Sequence, residues 1–279
     1  MPGVELRPLG GALGAEVLGL DVTRMNAEVT AWLHEALLQY QLLAIREQQL
    51  EPASFSAFAS QLGEREVYPF SEPIAQDPFV VPIVKEPDDW QVFGGIWHTD
   101  SSYLEAPPSL TLLHAVELPP QGGDTLFANM YAVYEALSPA LRDTLAQLGG
   151  VYTANLVHAS SGQFAAASGA DRNRREPGDL PAEVVHPIVR THPETQRKAI
   201  FATLAHTREF VGFARDESLP LLEYLAELTR LPEFGARLVW QPGTVAIWDN
   251  RCVQHYAVDD YAGERRVMHR VIIAGDRPV

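Results

Sequence analysis

The sequence predicts a mainly β protein with helices packed outside an antiparallel core. Three observations lead there. Short apolar runs bounded by Gly, Pro, Asn and Asp dominate from Trp97 onward. Only four stretches carry apolar residues at helical spacing. No repeat, linker or change of composition divides the chain, so residues 1–279 read as one domain.

The elements follow in order. "VELRPLGGALGAEVLGLDV" reads as short strands broken by glycines. In "NAEVTAWLHEALLQY", Asn26 is a capping residue, and Val29, Trp32, Leu33, Ala36, Leu37 and Tyr40 recur on one helical face. "LLAI" follows as a buried strand. "EPASFSAFASQLG" is a second helix with Pro52 early, Phe55, Phe58 and Leu62 on one face, and Gly63 to end it. "LTLLHAVEL" and "DTLFANM" are strands joined through a Pro-Pro-Gln-Gly-Gly loop. "SPALRDTLAQLGG" is a helix with Ser138 as N-cap, Pro139 at the first position and Gly149-Gly150 as its stop. "KAIFATL", "ARLVW", "TVAIWD" and "RRVMHRVII" complete the strands, with "LPLLEYLAELTR" a helix between them and Pro242-Gly243 the turn into "TVAIWD". Residues 160 to 183 are rich in Ala, Gly, Ser and charge and have no apolar period. They fit either a solvated excursion or a mobile lid over a site.

Composition narrows the function. With 21 basic and 36 acidic residues the formal charge is −15, which argues against nucleic acid or an anionic membrane as the partner. A small anion held by a few buried arginines remains compatible with that field. No apolar run is long enough for a bilayer, and "MPGVELRPLGG" lacks the pattern of an export signal. The lone Cys252 excludes an internal disulfide and fits a reducing cytoplasm, where it reads as a small buried apolar residue.

Chemistry concentrates in two places. In "FGGIWHTDSSY", His98 and Asp100 lie two residues apart. If the segment is extended, both point to one face, as two adjacent ligands of one metal require. By itself a His-x-Asp pair is usually structural. Among the nine histidines, His255 in "AIWDNRCVQHYA" is the best third ligand, because it follows a strand and the turn-forming Asp249-Asn250. Two imidazoles and one carboxylate leave half of an octahedral ion open, which suits non-haem Fe(II) binding a cosubstrate and O₂ together. In "GERRVMHRVII", strand alternation puts Arg266, Met268, Arg270 and Ile272 on one face. Arg266 and Arg270 are about 13 Å apart along it. On a core-facing surface they need anionic partners, whereas Arg265 reads as a solvated edge.

Together, "WHTD", "GGDTLFANM", "AIWDNRCVQHYA" and "RRVMHRVIIAGD" resemble the taurine dioxygenase group of Fe(II)/2-oxoglutarate-dependent oxygenases, which includes alkylsulfatase and aryloxyalkanoate-cleaving members. The resemblance runs from "RPLGGALGAEVLGLDVTR" to "GDRPV". It implies a double-stranded β-helix, the jelly roll of cupin-like proteins. It implies His98, Asp100 and His255 as iron ligands and Thr125 with Arg266 on the distal carboxylate of 2-oxoglutarate. Arg270 would lie near the keto-acid end and the substrate anion. The implied reaction uses Fe(II), O₂ and 2-oxoglutarate, releases succinate and CO₂, and hydroxylates a small molecule. The family's habit also implies a homodimer or homotetramer.

The resemblance also bears on the substrate. Taurine-specific members place a histidine and an asparagine on the sulfonate, where this chain has Arg65 and Gly94. Two phenylalanines of their apolar wall correspond to His158 and His206. That set fits taurine poorly. Tyr68, Phe70 and Tyr103 are candidate pocket aromatics, with core packing as the competing reading. The expected substrate is a small anion (sulfonate, sulfate ester or carboxylate), and its hydroxylated product fragments where the attacked carbon carries a leaving group. Two other classes stay open. A zinc hydrolase could use the same His/Asp/His set, but it has no need of Thr125, Arg266 and Arg270. A non-catalytic jelly-roll binding protein would be favoured by loss of a ligand, and all three are present.

Overall fold

The structure, a computed structural model, describes residues 3–159 and 180–279. Most of the segment read as a lid or excursion, 160–179, lies outside the described residues.

An eight-stranded sheet forms the larger layer. Its order is Glu5–Pro8, Ala15–Leu18, Leu42–Ile45, Val245–Asp249, Leu110–Glu117, Arg266–Ile273 and Arg65–Glu66, with Val81–Lys85 also paired to Arg266–Ile273. All pairings are antiparallel except Ala15–Leu18 with Leu42–Ile45. A shorter sheet holds Gly235–Leu238, Thr125–Asn129 and Val253–Ala257, in that order. Thr207–Phe210, Gly149–Tyr152 and Val184–Pro187 make a third sheet, and Val189–Thr191 pairs with Lys198–Ile200 as a hairpin.

The large sheet is apolar on both faces, which explains why its central strands read as unbroken hydrophobic runs. Leu112, Val245, Ile247, Val271 and Ile273 point outward onto Val29, Leu33 and Leu37 of the helix Ala27–Tyr40 and onto Phe55 and Phe58 of the helix Pro52–Ala59. Leu113, Ala115, Ala246, Trp248 and Met268 point the other way, onto Phe127, Ala128 and Val253 of the shorter sheet. Each such fully buried large side chain contributes roughly 1.5–3 kcal/mol. The same alternation leaves polar residues of these strands facing one another between the sheets, and that places the site.

Local signals explain the element ends. Asn26 caps the first helix by accepting from the Val29 N–H at 2.9 Å. That helix closes at Gln41, whose backbone is left-handed (φ 61°). Ser138 accepts from Leu141 N–H, with Pro139 opening the helix Pro139–Leu145. Some sequence expectations are corrected. The second helix stops at Ala59, four residues before Gly63. Gly149-Gly150 does not terminate a helix but begins the strand Gly149–Tyr152, whose edges are filled by Val184–Pro187 and Thr207–Phe210. "DTLFANM" ends as a strand at Asn129, whose side chain accepts from Tyr131 N–H and Ala132 N–H and so starts a helix, Met130–Ala136. The strands Val184–Pro187 and Val253–Ala257 are short and broken by polar residues, and Val81–Lys85 carries Pro82 inside it, so none was read without its partners. No helix among the described residues is long and apolar enough to cross a membrane.

His114 and His269 face each other across the outer side of the large sheet. Burial pushes both imidazoles below the ordinary value of 6.5; for His269 the neighbouring His114 adds to it. The unfolded chain therefore takes up protons that the folded chain refuses. Stability is whole above about pH 6.5 and is lost as the pH falls from there toward the folded-state values. A thermal melt series from pH 7.5 to 5.0 should show the midpoint falling, and His269→Gln should flatten that slope.

Candidate active site

His98 does not lie in a strand. It makes an isolated antiparallel bridge with His255, each donating its N–H to the other's carbonyl at 3.1 and 2.9 Å. Beyond it the chain turns at once, with Ser101 left-handed at φ 47°. The extended reading of "IWHTDS" holds as far as the bridge at His98 and gives way to a turn from Asp100 onward. The outcome for the side chains is the same. One ligand atom from each of His98, Asp100 and His255 lies within 4.8 Å of the others, and all three groups are buried. Asp100 Oδ1 is 3.4 Å from His98 Nε2 and 3.8 Å from His255 Nε2.

The surroundings aim these atoms. His98 Nδ1–H donates to the Ile96 carbonyl at 2.7 Å, which leaves the Nε2 lone pair free. Asp100 Oδ2 accepts from Thr111 Oγ1 at 2.6 Å, Thr111 accepts from Asn250 Nδ2, and Asn250 accepts from Trp248 Nε1. Burial alone would raise the Asp100 pKa, but His255, His98 and Arg270 outweigh it and hold the carboxyl ionised. Burial, with His98 and Arg270, pushes His255 down to about 3 against the pull of Asp100, so it is neutral. Its ring packs against Trp248 and Phe127, at 4.8 and 5.9 Å between centroids. Two imidazoles and an ionised carboxylate, preoriented and facing one point, fit a divalent metal.

Two cavities meet at this point. The first is lined by Thr125, Arg266, Arg270, Trp248, His98 and Asp100, among others. Trp240 Nε1–H donates to Thr125 Oγ1 at 3.0 Å, so the Thr125 hydroxyl proton is free for an anion. Arg266 is buried, its Nε has no hydrogen-bond partner, and Gly123 (φ +70°) brings the loop so close that a Cβ would stand 3.3 Å from the Arg266 side chain. The second cavity is lined by Tyr68, Tyr103, His158, His206, Gly94 and Arg270, with His98 and Asp100 again. Arg270 therefore borders both. Its guanidinium lies 3.9 Å from the Tyr68 ring centroid, and its Nε and Nη2 have no hydrogen-bond partner. Burial keeps the Tyr68 and Tyr103 phenols protonated. Burial, aided by His98 and His158, pushes His206 well down; its Nδ1 lies 2.9 Å from Ser102 Oγ. Gly94 is left-handed (φ +83°), and a Cβ there would sit 3.4 Å from the His98 ring.

Two sequence expectations for the pocket fail. Arg65 points away: it bonds Ser56 Oγ, approaches Asp77 at 3.8 Å, and lies 4.3 Å over the Phe79 ring. Phe70 does not border the cavity but supports it from behind. It stacks on His158 at 4.2 Å and meets Tyr103 edge-on at 5.5 Å. Sequence reading missed Phe93, which borders both cavities, and Ile96, Ser101 and Ile83. The "VPIVK" alternation held a signal for Ile83; the loop residues carried none.

A second group, His192, Asp249 and Cys252, also has ligand atoms within 4.8 Å. It does not fit a metal. His192 Nδ1 accepts from Glu194 N–H and Thr195 N–H, so its proton sits on Nε2 and is donated to Asp249 at 3.0 Å. Arg251 occupies the same carboxylate through Nε and Nη2 at 2.8 and 2.7 Å. Burial pushes the Cys252 thiol well up, so no thiolate forms.

A metal-type triad opens onto two cavities, one lined by Thr125 and Arg266 and the other by aromatic rings, and together with the similarities that follow this places the class: the protein is a 2-oxoglutarate-dependent dioxygenase that uses Fe(II), 2-oxoglutarate and O₂. Residues 5–272 match the family model described as taurine catabolism dioxygenase TauD, TfdA family, and the chain belongs to that family. It is 32% identical to an alkylsulfatase of Acinetobacter baylyi, over 98% of this chain and 86% of that protein. It is 32% identical to an alpha-ketoglutarate-dependent sulfate ester dioxygenase of Pseudomonas putida, over 99% and 91%. The crystal structure of a taurine dioxygenase from Burkholderia xenovorans superposes with a TM-score of 0.83 at 32% identity, covering 100% of this chain and 93% of that one.

Proposed function

We propose that His98, Asp100 and His255 hold Fe(II), that Thr125 and Arg266 hold the distal carboxylate of 2-oxoglutarate, and that Arg270 holds an anionic group of a small organic substrate. The substrate class is a sulfate ester, sulfonate or carboxylate. Bound iron supplies the redox step that couples O₂ to decarboxylation of the keto acid and hydroxylation of one substrate C–H bond. The chain's own residues do the placing. The buried triad leaves one side of the metal for ligands. Arg266 and Thr125 fix the far end of the keto acid. Arg270, backed by the Tyr68 ring, orients the substrate anion, while Tyr103, His158 and His206 close the remaining walls and exclude water. His158 and His206, in place of an all-apolar wall, favour a larger or more polar substrate than taurine. Where the hydroxylated carbon bears a sulfate ester oxygen, the product collapses to a carbonyl compound and sulfate.

The observation that carries this reading is the position of Arg270, with two free nitrogens, in the wall shared by both cavities. The reading also includes a double-stranded β-helix for the two facing sheets, a single domain over the whole chain, and a cytoplasmic dimer or tetramer. The test is anaerobic. Fe(II) and 2-oxoglutarate added to the apoprotein should produce the visible charge-transfer band of an iron-bound keto acid. The band should shift when the right member of a panel of alkyl sulfates, sulfonates and aryloxyalkanoates is added. Absence of the band from Fe(II)-loaded protein would overturn the proposal.

A further inference from the structure

Lys85 is the last residue of the strand Val81–Lys85. In the register of that strand, Val81 stands opposite Arg270, Ile83 opposite Met268 and Lys85 opposite Arg266. Directly opposed residues share one face, with Cβ atoms about 4.5–5.5 Å apart. Ile83 lines the cavity assigned to the keto acid. Lys85 therefore lies one step further along the same face, at the Arg266 end.

Its environment is unusual. Lys85 is only 5% exposed, and its Nζ has no hydrogen-bond partner. The ammonium lies 4.8 Å from the Tyr261 ring centroid, and the Tyr261 phenol also stands near Arg266. A cation–π contact returns part of the cost of burying an ammonium, but not the cost of placing it beside a second cation. The nearby carboxylates are committed elsewhere. Glu86 and Glu117 pair with Arg265, and Asp124 and Asp260 pair with Arg237. Two buried cations thus sit side by side, and among the described residues neither is in a salt bridge.

We infer that Lys85 is a second cation for the distal carboxylate of the cosubstrate, acting behind Arg266 as a positioning residue that selects a charged over an uncharged keto-acid tail. This rests on the keto-acid reading of that cavity. An anion seated on Arg266 and Thr125 would offset both charges at once, and a tail of equal length without charge would offset neither.

Calorimetric titration of Mn(II)-loaded protein tests this with two probes, 2-oxoglutarate and 5-methyl-2-oxohexanoate, in which an isopropyl group of the same shape replaces the distal carboxylate and carries no charge. Lys85→Met should weaken 2-oxoglutarate about tenfold, the scale of one interaction with a charged group. It should leave the uncharged keto acid unchanged, and Lys85→Arg should retain the wild-type preference. If both probes weaken equally in Lys85→Met, Lys85 merely supports the fold; if neither changes, it does not reach the site. Either result overturns the inference. If the wild type binds 2-oxoglutarate not at all, the keto-acid reading fails and takes this inference with it.

Discussion

His255→Ala is expected to lower kcat/KM by more than about a thousandfold, because it removes one of the three proposed ligands of the iron. The keto-acid absorption band should disappear with it. The fold should survive, because His255 is a neutral ring whose Nδ1 has no hydrogen-bond partner to lose. What goes is ring packing on Trp248 and Phe127. Circular dichroism close to wild type beside a lost band would place the defect in the metal site. A retained band would show that the metal is held by other residues.

Asp249→Ala is expected to cost about 3–5 kcal/mol of stability, the scale for removing one partner of a buried ion pair. Asp249 is 1% exposed and bonded to both Arg251 and His192. Its removal leaves His192 Nε2–H without an acceptor and strips Arg251 of all partners except Glu194. Arg251 and Glu194 extend the network to His34 on the first helix, so three distant segments loosen together. Urea denaturation at pH 7.5, comparing midpoints at unchanged slope, measures the loss. A change below about 1 kcal/mol would mean that the network repacks around alanine.

Several parts of this site were legible in the sequence. Alternation in "RRVMHRVII" put Arg266, Met268, Arg270 and Ile272 on one face, and the clusters of Met268 between the sheets and of Val271 and Ile273 beneath the helices agree. The pairing of His98 with Asp100 was legible from spacing, although the segment bridges only at His98 and turns from Asp100 onward. The two cavities and the neighbours of Arg270 were less so, since Phe93, Ile96 and Val81 reach it from separate segments. Arg65 shows the limit of positional correspondence. Its position matches a substrate residue, but Ser56 on the preceding helix and Asp77 in the following loop capture its side chain. Lys85 was passed over because a lone lysine ending a short strand looks like a solvated edge. Only the register opposite Arg266 shows that it is buried beside a second cation.

Arg270 borders both cavities, so under the proposed assignment their occupants would be thermodynamically linked through it. Any factor by which a bound substrate anion alters the affinity for the keto acid must be returned, unchanged, by the keto acid to the substrate. Two anions drawing on one guanidinium would make that factor antagonistic. One anion that draws the guanidinium into line for the other would make it cooperative. On the proposed assignment, the affinity of each ligand in the presence of the other would be set by how this single side chain divides its hydrogen bonds.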